Sequence, residues 1–329
     1  MQRTRTRRAR AALAGTAVGV LALAGCSLPD STAAVEVEGT LIEPAEVNIA
    51  VITHAAPGDQ FWDFVRAGVD QATDDLGIQV SYTNSPDPGD QSTLIDNAIA
   101  QGANGVVVSM ANPDALRASV RKAANAGIPV VTINSGIDDW EEFGAFTHVG
   151  QSESIAGKAA GERLTKDGRR NVICVIQEPG NIALEERCGA ASKSFKGRMT
   201  NLQVDGTDTT GVTSSITSRL RANKQIDGVL TLGGQISALA VQAVGAAGSD
   251  AQVATFDVDQ SVLKRVQSGD ISFAIDQQPF AQGYEGVSAV YLQLTRGVTL
   301  GGGQPIYTGP TIIDKTNAKT SLASLNGAS

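Results

Sequence analysis

The stretch VNIAVITHAAPGDQFWDFVRAGVDQATDDLGIQVSYT, residues 47–83, decides the fold. It begins with a short apolar run that is rich in β-branched residues, and it ends with a second such run after Gly77. Between the two runs, apolar residues recur at helical spacing over Gln60–Leu76. Apolar strands that alternate with helices of this length predict a parallel sheet with helices on both faces.

The same alternation extends along most of the chain. The predicted strands are Val47–Thr53, Ile78–Thr83, Gly105–Met110, Pro129–Asn134, Phe146–Val149, Val172–Gln177, Leu202–Asp205, Gly228–Leu232, Gln252–Asp257 and Ile271–Asp276. The predicted helices are Gln60–Leu76, Gln91–Gln101, Pro113–Ala126, Ser152–Lys166, Ile182–Lys196, Val212–Asn223, Gln235–Ala247, Gln260–Ser268 and Phe280–Arg296. Because about ten strands are more than one open sheet usually carries, the sequence predicts an α/β protein with two doubly wound parallel-sheet domains.

The N-terminus has the features of an export signal. Residues 1–25 contain five arginines, all within the first ten residues, and no acidic residue. An apolar run from Ala11 to Ala24 follows the last arginine. A basic segment, a short apolar segment and small residues before a cleavage point are typical of a secretory signal peptide. The run of ~14 residues is shorter than the ~20 that a spanning helix needs. We therefore predict a signal peptide over residues 1–25, with an N-terminal membrane anchor as the alternative.

The end of this segment, Leu23-Ala-Gly-Cys26, resembles the bacterial lipobox. In a lipobox the cysteine receives a diacylglyceryl thioether and becomes the new N-terminus, so the resemblance implies lipidation of Cys26. Residues 26–46 are rich in Ser, Thr, Ala, Pro and acidic residues, which is typical of a flexible tether. The expected localisation is the outer face of the cytoplasmic membrane, at the cell surface or in the periplasm.

The net charge of −8 is unevenly distributed along the chain. Cleavage before Cys26 removes five of the 26 basic residues and no acidic residue, so 21 basic and 34 acidic residues remain and the net charge becomes −13. Nucleic acid is excluded as a partner, because phosphate binding needs a basic surface. No later apolar stretch reaches the ~18 residues of a candidate membrane span.

Two further cysteines, Cys174 and Cys188, lie on a predicted strand and on the helix that follows it. A disulfide persists in an exported protein, and a strand–loop–helix unit can bring two such Cα atoms within disulfide range. We predict a disulfide between them, with two buried free thiols as the alternative. No metal site is expected, because the two histidines are distant and no Cys-x-x-Cys pair is present.

The motifs of common α/β enzymes are absent from the sequence. It contains no G-x-G-x-x-G after the first strand, no P-loop and no G-x-S-x-G nucleophile elbow. The sequence shows no Ser or Cys partner for His54 or His148, so we expect each to be structural or to lie at a rim. We predict that the protein is not an enzyme and uses no cofactor, with an exported α/β enzyme as the alternative.

The side chains that follow the predicted strands indicate a class of ligand. Ligands of doubly wound folds bind beyond the carboxyl ends of the strands. Aromatic, amide, carboxylate and guanidinium groups occur there in this sequence. The polar groups make paired hydrogen bonds to adjacent hydroxyls, and aromatic rings pack on the C–H face of a sugar or polyol. These groups predict a neutral polyhydroxylated ligand.

From about Val47 to Asn317 the chain resembles the ribose/galactose-type periplasmic binding proteins, the sugar-binding subunits of ABC importers. The matching stretches are Asn48–Thr53 with Phe61-Trp62, Gly102–Val108, Gly127–Asn134, Ala254–Asp257 and Ala274–Pro279. The resemblance implies the type I clamshell, in which two domains are joined by a three-segment hinge near Gly150, Gln277 and Gly309-Pro310. The domains are then residues 47–149 plus 277–309 and residues 150–276 plus 310–329.

The resemblance also implies the residues that bind the ligand. Carried over position by position, they are Asp59, Phe61, Trp62, Asn134, Ser135, Arg187, Gly233, Asp257 and Gln277, with Thr53 as a further contact. Asn134-Ser135 stands where ribose binders usually have Asp-Arg, and Gly233 stands where many members have an asparagine. These departures indicate a ligand other than ribose, of different shape or larger size.

Several of these residues also have a purely structural interpretation. Phe61 and Trp62 could belong to the core, although adjacent positions are not expected to face one core together. Arg187 could form a surface ion pair with a neighbouring glutamate, and Asp257 could cap the helix that follows it. Trp140 could pack under a loop or line the cleft.

The function that the resemblance implies is that of a substrate-binding lipoprotein. It would act as a monomer that delivers a monosaccharide or sugar alcohol to a membrane permease. A sensor of a sugar or signal molecule on the same fold is the alternative. A transcriptional regulator of this fold requires a DNA-binding headpiece, and a predicted signal peptide stands in its place.

Overall fold

A computed structural model describes residues 41–327 of the chain. The predicted signal peptide, Cys26 and residues 26–40 of the predicted tether lie outside the described residues. Residues 41–46, which the sequence assigns to the tether, contact the folded body. The backbone N–H of Ile42 donates to the carbonyl oxygen of Leu294 at 3.1 Å, and Pro44–Glu46 form a 3-10 turn.

Strands and helices alternate along the described chain. The strands are β1 (Asn48–Thr53), β2 (Gln79–Asn84), β3 (Gly105–Ser109), β4 (Val130–Ile133), β5 (Thr147–Gly150), β6 (Asn171–Ile176), β7 (Arg198–Gln203), β8 (Gly228–Thr231), β9 (Gln252–Phe256), β10 (Ile271–Asp276), β11 (Ile306–Tyr307) and β12 (Thr311–Ile313). The helices are α1 (Gln60–Leu76), α2 (Pro88–Ala100), α3 (Pro113–Asn125), α4 (Glu153–Lys166), α5 (Ile182–Ser194), α6 (Thr209–Ala222), α7 (Gly234–Ala247), α8 (Gln260–Ser268), α9 (Pro279–Arg296) and α10 (Ala318–Gly327).

The strands form two six-stranded sheets. Their strand orders are β11-β5-β4-β3-β1-β2 and β12-β10-β9-β8-β6-β7. The pairing is parallel in both sheets except between β10 and β12. We call the first sheet with α1–α3 and α9 the first lobe, and the second sheet with α4–α8 and α10 the second lobe. The predicted α/β fold with two doubly wound parallel sheets is confirmed.

The chain passes between the lobes three times. It leaves the first sheet after Gly150, returns from the second sheet after Asp276, and leaves again after Tyr307. Each lobe is therefore built from two separate stretches of sequence. The short strands β11 and β12 add to sheets whose other strands come much earlier in the chain.

Burial on both faces of the sheets explains why the apolar runs of the strands are continuous. In β1 the residues from Ile49 to Thr53 are all buried, because helices cover both faces of the sheet. Helix α9 lies against α1 backbone to backbone, since a Cβ on Gly68 would overlap the carbonyl oxygen of Phe280. A Cβ on Gly283 would likewise overlap that of Val65. These two glycines let α9 approach α1 closely.

Side-chain caps fix where many helices begin. The residues that accept a hydrogen bond from the first helical turn are Asp59, Asp87, Asn112, Ser152, Asn181, Asp208 and Asp259. Each cap satisfies a backbone donor that has no partner inside the helix. The cap by Asp87 starts α2 at Pro88, three residues before the predicted start.

Some predicted boundaries were wrong at the sheet edges. Strand β7 was predicted over Leu202–Asp205, but it spans Arg198–Gln203 and begins where Arg198 donates its N–H to the Arg170 carbonyl at 2.8 Å. Its residues are exposed or half-buried, because β7 lies at the edge of its sheet. The edge therefore lacks the continuous apolar run on which the prediction rested.

Candidate ligand-binding site

A cavity lies beyond the carboxyl ends of the strands, between the two lobes, with an empty volume of about 400 Å³, which includes its opening to solvent. Residues of both lobes and of the second crossover line it. They are His54, Asp59, Phe61, Trp62, Asn134, Ser135, Gln177, Glu178, Asn181, Ala183, Leu184, Arg187, Leu232, Gly233, Gln235, Asp257 and Gln277. All nine residues carried over by the resemblance are in this set, whereas Thr53 is buried in β1 and contacts Tyr82 at 3.2 Å.

Two aromatic rings form the wall of the cavity in the first lobe. Asp59 caps α1 by accepting the N–H of Phe61 at 3.1 Å, and this starts the helix with Phe61 and Trp62 in its first turn. The Trp62 ring stands edge-on to Phe61 at 5.1 Å and to His54 at 4.7 Å between centroids.

Phe61 and Trp62 are both core residues and cavity residues. They are 8% and 5% exposed and pack into the core of the first lobe. The expectation that adjacent positions cannot both face the core was wrong. The first turn of α1 lies where the core of the first lobe meets the cavity. Phe61 and Trp62 can therefore both be buried although they point in different directions. Trp140 packs instead into the core on the other side of the first sheet.

His54 follows β1 directly and is fixed by a buried partner that the sequence did not reveal. Its Nδ1 lies 2.7 Å from the hydroxyl oxygen of Ser109, and its backbone N–H donates to the same oxygen at 3.0 Å. Burial lowers the pKa of His54, so the imidazole is neutral at pH 7. His148 lies in β5 away from the cavity, with Nδ1 2.8 Å from the hydroxyl of Thr132.

Asn134 follows β4 with the left-handed backbone conformation, at φ 61°. This conformation is uncommon for a residue with a side chain and costs energy that the surrounding contacts must offset. The Asn134 amide donates to Oε1 of Gln277 at 3.2 Å, and Ser135 donates to Oδ1 of Asn134 at 3.0 Å. The turn therefore directs amide and hydroxyl groups into the cavity.

Arg187 on α5 forms a buried ion pair with Glu153 on α4. Its Nη2 donates to Oε1 of Glu153 at 2.8 Å, and its Nε donates to Oε2. The side chains are 3% and 2% exposed, so the surface ion pair considered from the sequence is wrong. Gln151 donates a further hydrogen bond to Glu153 at 3.0 Å. The pair fixes the guanidinium against the cavity, and it leaves Nη1 3.5 Å from the carbonyl oxygen of Leu232.

Asp257 follows β9 and also has the left-handed conformation, at φ 67°. Its Oδ1 accepts from Nε2 of Gln277 at 2.6 Å. The helix-cap interpretation is wrong, because Asp259 caps α8 by accepting from the N–H of Val262 at 2.7 Å. Burial raises the pKa of Asp257 to about 7, although the nearby Arg187 charge opposes the shift.

Asp59 is the second carboxyl group with a strongly shifted pKa in the cavity. Burial raises its pKa to about 6, and the neighbouring Glu178 contributes to the shift. The hydrogen bond from Phe61 acts in the opposite direction. Both carboxyl groups therefore titrate close to neutral pH in the unliganded protein, and donors from a ligand would favour their charged forms.

Residues that follow β6 line the cavity but were not among the predicted set. Gln177 is 9% exposed, and within the described chain its Oε1 has no hydrogen-bond partner. Asn181 donates from Nδ2 to Oε2 of Glu178 at 2.8 Å. The signal that could have found them is their position at the carboxyl end of a buried strand.

The cysteine prediction is confirmed. Cys174 in β6 and Cys188 in α5 form a disulfide with a Cα–Cα distance of 5.9 Å. The bond joins the strand to the helix that carries Arg187, one residue before Cys188. Across residues 41–327 there is no cluster of three or more His, Cys, Asp or Glu placed to hold a metal ion. No helix in the same range has the length and apolar character needed to cross a membrane.

Comparison with known proteins identifies the family. A family model described as periplasmic binding protein domain matches residues 49–297. This chain belongs to that family. The predicted resemblance to type I periplasmic sugar-binding proteins of ABC importers is therefore confirmed. Relatives of the chain are named as sugar-binding proteins, among them a xylose/arabinose-binding protein and a ribose import binding protein.

Solved and curated members of the family resemble the chain over most of its length. A carbohydrate transporter from Acidothermus cellulolyticus 11B, solved in complex with myo-inositol, is 41% identical, with a TM-score of 0.84. The match covers 86% of this chain and 99% of that one. The xylose/arabinose-binding protein XylF of Sulfolobus acidocaldarius is 27% identical over 78% of this chain and 68% of its own length. The ribose import binding protein RbsB of Haemophilus influenzae is 24% identical over 69% and 79%, respectively.

Proposed function

We propose that this periplasmic binding protein binds a cyclic polyol or monosaccharide in the interlobe cavity and delivers it to a membrane permease. The observation that carries the proposal is the convergence of the nine carried-over residues on one cavity. The 41% identical relative that was solved with myo-inositol supports a polyol ligand of similar size. We also propose that Cys26 anchors the exported protein to the membrane by lipid.

In the proposed complex, aromatic side chains contact the C–H groups of the ligand and polar side chains contact its hydroxyls. Phe61 and Trp62 provide apolar surface for the C–H face of a sugar or cyclitol ring. Asp59 and Asp257 accept hydrogen bonds from hydroxyls, and Arg187 donates to hydroxyl oxygens. Gly233 leaves space in the cavity beside Gln177, because it has no side chain. A Cβ at position 233 would lie 3.1 Å from Nε2 of Gln177.

We further propose that the two lobes are the two domains of a clamshell, joined by the three crossovers. The ligand contacts residues of both lobes, so it binds the closed arrangement better than an open one. That difference in affinity is what drives closure. A permease then recognises the closed form, and no bond of the ligand is made or broken.

Isothermal titration calorimetry of the purified chain tests the binding step. The panel consists of myo-inositol, D-xylose, D-ribose, D-allose and D-arabinose. We expect at least one member to bind with a dissociation constant in the micromolar range or below, and to be recovered unchanged by NMR after incubation. Failure of all five to bind, or turnover of the bound ligand, would overturn the proposal.

Uptake of the ligand distinguishes an importer from a sensor. Cells that lack this protein should lose accumulation of the radiolabelled ligand, and expression of the wild-type chain should restore it. Expression of the Asp257→Ala variant should restore less accumulation when the ligand is supplied near the dissociation constant of the wild type. Undiminished uptake in cells without the protein would show that the bound sugar serves another purpose.

A further inference from the structure

A second space adjoins the ligand cavity, and the two share part of their walls. We call it the outer chamber; it has an empty volume of about 750 Å³, which includes its opening to solvent. His54, Gln177, Glu178 and Asn181 line both the cavity and the outer chamber. The two spaces are therefore neighbours, and these four side chains stand at their common boundary.

Both lobes build the outer chamber. The first lobe contributes the turn with Pro86 before α2 and the loop with Ala111 after β3. The second lobe contributes the loop after β6 and the turn with Thr207 after β7. The backbone N–H of Ile182 donates to the carbonyl oxygen of Ala111 at 3.1 Å, which joins the lobes beside the chamber. A group held there would contact both lobes, as the proposed ligand in the cavity does.

The chemistry of the chamber suits a neutral polyhydroxylated group. Pro86, Pro88 and Pro179 give rigid apolar surface, and amide and carboxylate side chains such as Asn112 and Asp205 also line the chamber. Among the described residues that line the chamber none is Lys or Arg, whereas Glu178 and Asp205 are acidic. An anionic substituent would meet two carboxylates without a cation to balance it.

Gln177 lies where the two spaces meet. It lines both, and its Oε1 is buried without a hydrogen-bond partner among residues 41–327. A buried amide oxygen without a donor is unusual in folded proteins. A hydroxyl near the junction of two rings would supply the missing donor.

We propose that the site takes a cyclic polyol or sugar that carries a second, neutral glycosyl ring. The first ring occupies the cavity and the second occupies the outer chamber, with a hydroxyl beside the junction donating to Gln177. This inference rests on the proposed function, since it extends the ligand that the cavity binds.

Calorimetry with matched pairs of ligands tests the inference. The pairs are myo-inositol with galactosyl-myo-inositol, and D-xylose with xylobiose; myo-inositol 1-phosphate serves as the anionic probe. For the pair whose smaller member binds, we expect the two-ring ligand to bind at least tenfold more tightly. If myo-inositol binds, myo-inositol 1-phosphate should bind at least tenfold more weakly than myo-inositol. If D-xylose is the ligand instead, myo-inositol 1-phosphate should not bind.

A variant that fills the chamber separates the two spaces. Thr207→Trp places a large side chain in the chamber from an exposed position, and Thr210→Trp places the same side chain on the exposed surface of α6 as the control. Thr207→Trp should lower affinity for the two-ring ligand at least tenfold and change affinity for the single ring less than twofold. Pro86→Trp, which fills the chamber from the first lobe, should have the same effect.

The outcomes distinguish this inference from the proposed function. Binding of a single ring with weaker or equal binding of its two-ring partner overturns the inference and leaves the proposed function intact. Equal losses for both ligands in Thr207→Trp and Pro86→Trp also overturn it. Binding of a panel ligand without binding of either two-ring ligand likewise overturns the inference and leaves the proposed function intact. If no panel ligand and neither two-ring ligand binds the wild type, the proposed function fails and the inference fails with it.

Discussion

Gln277 donates a hydrogen bond of 2.6 Å from Nε2 to Oδ1 of Asp257, while its Oε1 accepts from Asn134 of the first lobe at 3.2 Å. Its Oε1 also lies 3.4 Å from Nη2 of Arg187. One side chain at the second crossover thus joins three polar residues of the cavity and both lobes. Gln282 extends the connection, because its Nε2 donates to Thr308 near the third crossover at 3.1 Å.

Replacement of the carboxylate in this arrangement should weaken ligand binding. We expect Asp257→Ala to lower affinity about 30-fold, which corresponds to ~2 kcal/mol for hydrogen bonds to a charged group. Calorimetry with the best ligand of the panel measures the change. Asp250→Ala, which removes an exposed carboxylate far from the cavity, is the control and should bind as the wild type does. Equal affinities of Asp257→Ala and the control would mean that the ligand lies elsewhere.

Ligand affinity should rise with pH between about 5 and 8. Burial raises the pKa of Asp59 to about 6 and that of Asp257 to about 7 in the unliganded protein. Hydroxyl donors favour the ionised carboxylates, so the ligand lowers these pKa values and binding releases protons. If the ligand lowers one of these pKa values by one unit, its affinity is tenfold lower below both pKa values than above them, which corresponds to ~1.4 kcal/mol.

Calorimetry at pH 5.5 and pH 8 in two buffers of different ionisation enthalpy measures both effects. We expect at least threefold tighter binding at the higher pH and net proton release near pH 6. Asp257→Asn should reduce the pH dependence and leave the part due to Asp59, because the amide does not titrate. Proton uptake on binding would contradict the assignment of these carboxylates to the ligand.

Removal of one partner of the buried ion pair should destabilise the second lobe. Glu153→Ala leaves the Arg187 guanidinium buried without its carboxylate, and breaking a buried pair in this way costs about 3–5 kcal/mol. Urea unfolding measures the loss. The matched control is Glu162→Ala on the same helix, whose exposed pair with Lys158 spans 3.8 Å and should contribute about 0–1 kcal/mol. Similar losses for the two variants would rule out a special role for the buried pair.

Reduction of the disulfide should lower stability without abolishing the fold. The bond closes a loop of about 15 residues, which lowers the conformational entropy of the unfolded chain. This effect is expected to add about 3 kcal/mol to the free energy of unfolding. Urea unfolding with and without dithiothreitol measures the difference in the wild type. The double variant Cys174→Ala/Cys188→Ala should be less stable and insensitive to the reductant. Equal stability of wild type under both conditions would show that the bond contributes nothing.

Lipid attachment is tested in the expressing cell. Radiolabelled palmitate should label the wild-type protein and should not label Cys26→Ala, because the thiol is the proposed attachment site. Cys174→Ala/Cys188→Ala is the control and should be labelled as the wild type is. Equal labelling of wild type and Cys26→Ala would refute the lipoprotein proposal.

The parts of the fold and site that could be predicted depend on local sequence. The buried strands are continuous apolar runs, and α1 begins and ends at the predicted residues because Asp59 caps it and Gly77 ends it at φ 65°. Asn134, Asp257 and Gln277 follow such strands directly. Their place at one end of the sheets follows from parallel pairing.

The remaining features depend on contacts between distant residues. Glu153 pairs with Arg187 across 34 residues, and His54 contacts Ser109 across 55 residues, so no local pattern indicates either pair. The strands β11 and β12 have two and three residues, too few for a hydrophobic period. Their place is set by the sheet edges on which they pair.

The order of the lobes along the chain has a consequence for folding during synthesis. Helix α9 covers the first sheet, and Gly286 of α9 lies against Ile133 and Val107 of that sheet. A chain that emerges N-terminus first therefore leaves this apolar face open until residues 279–307 have been made. By then every strand of the second sheet except β12 has been synthesised. The lobe encoded first is thus completed late, and a nascent chain that stops before residue 279 leaves this apolar face of the first sheet without the helix that covers it.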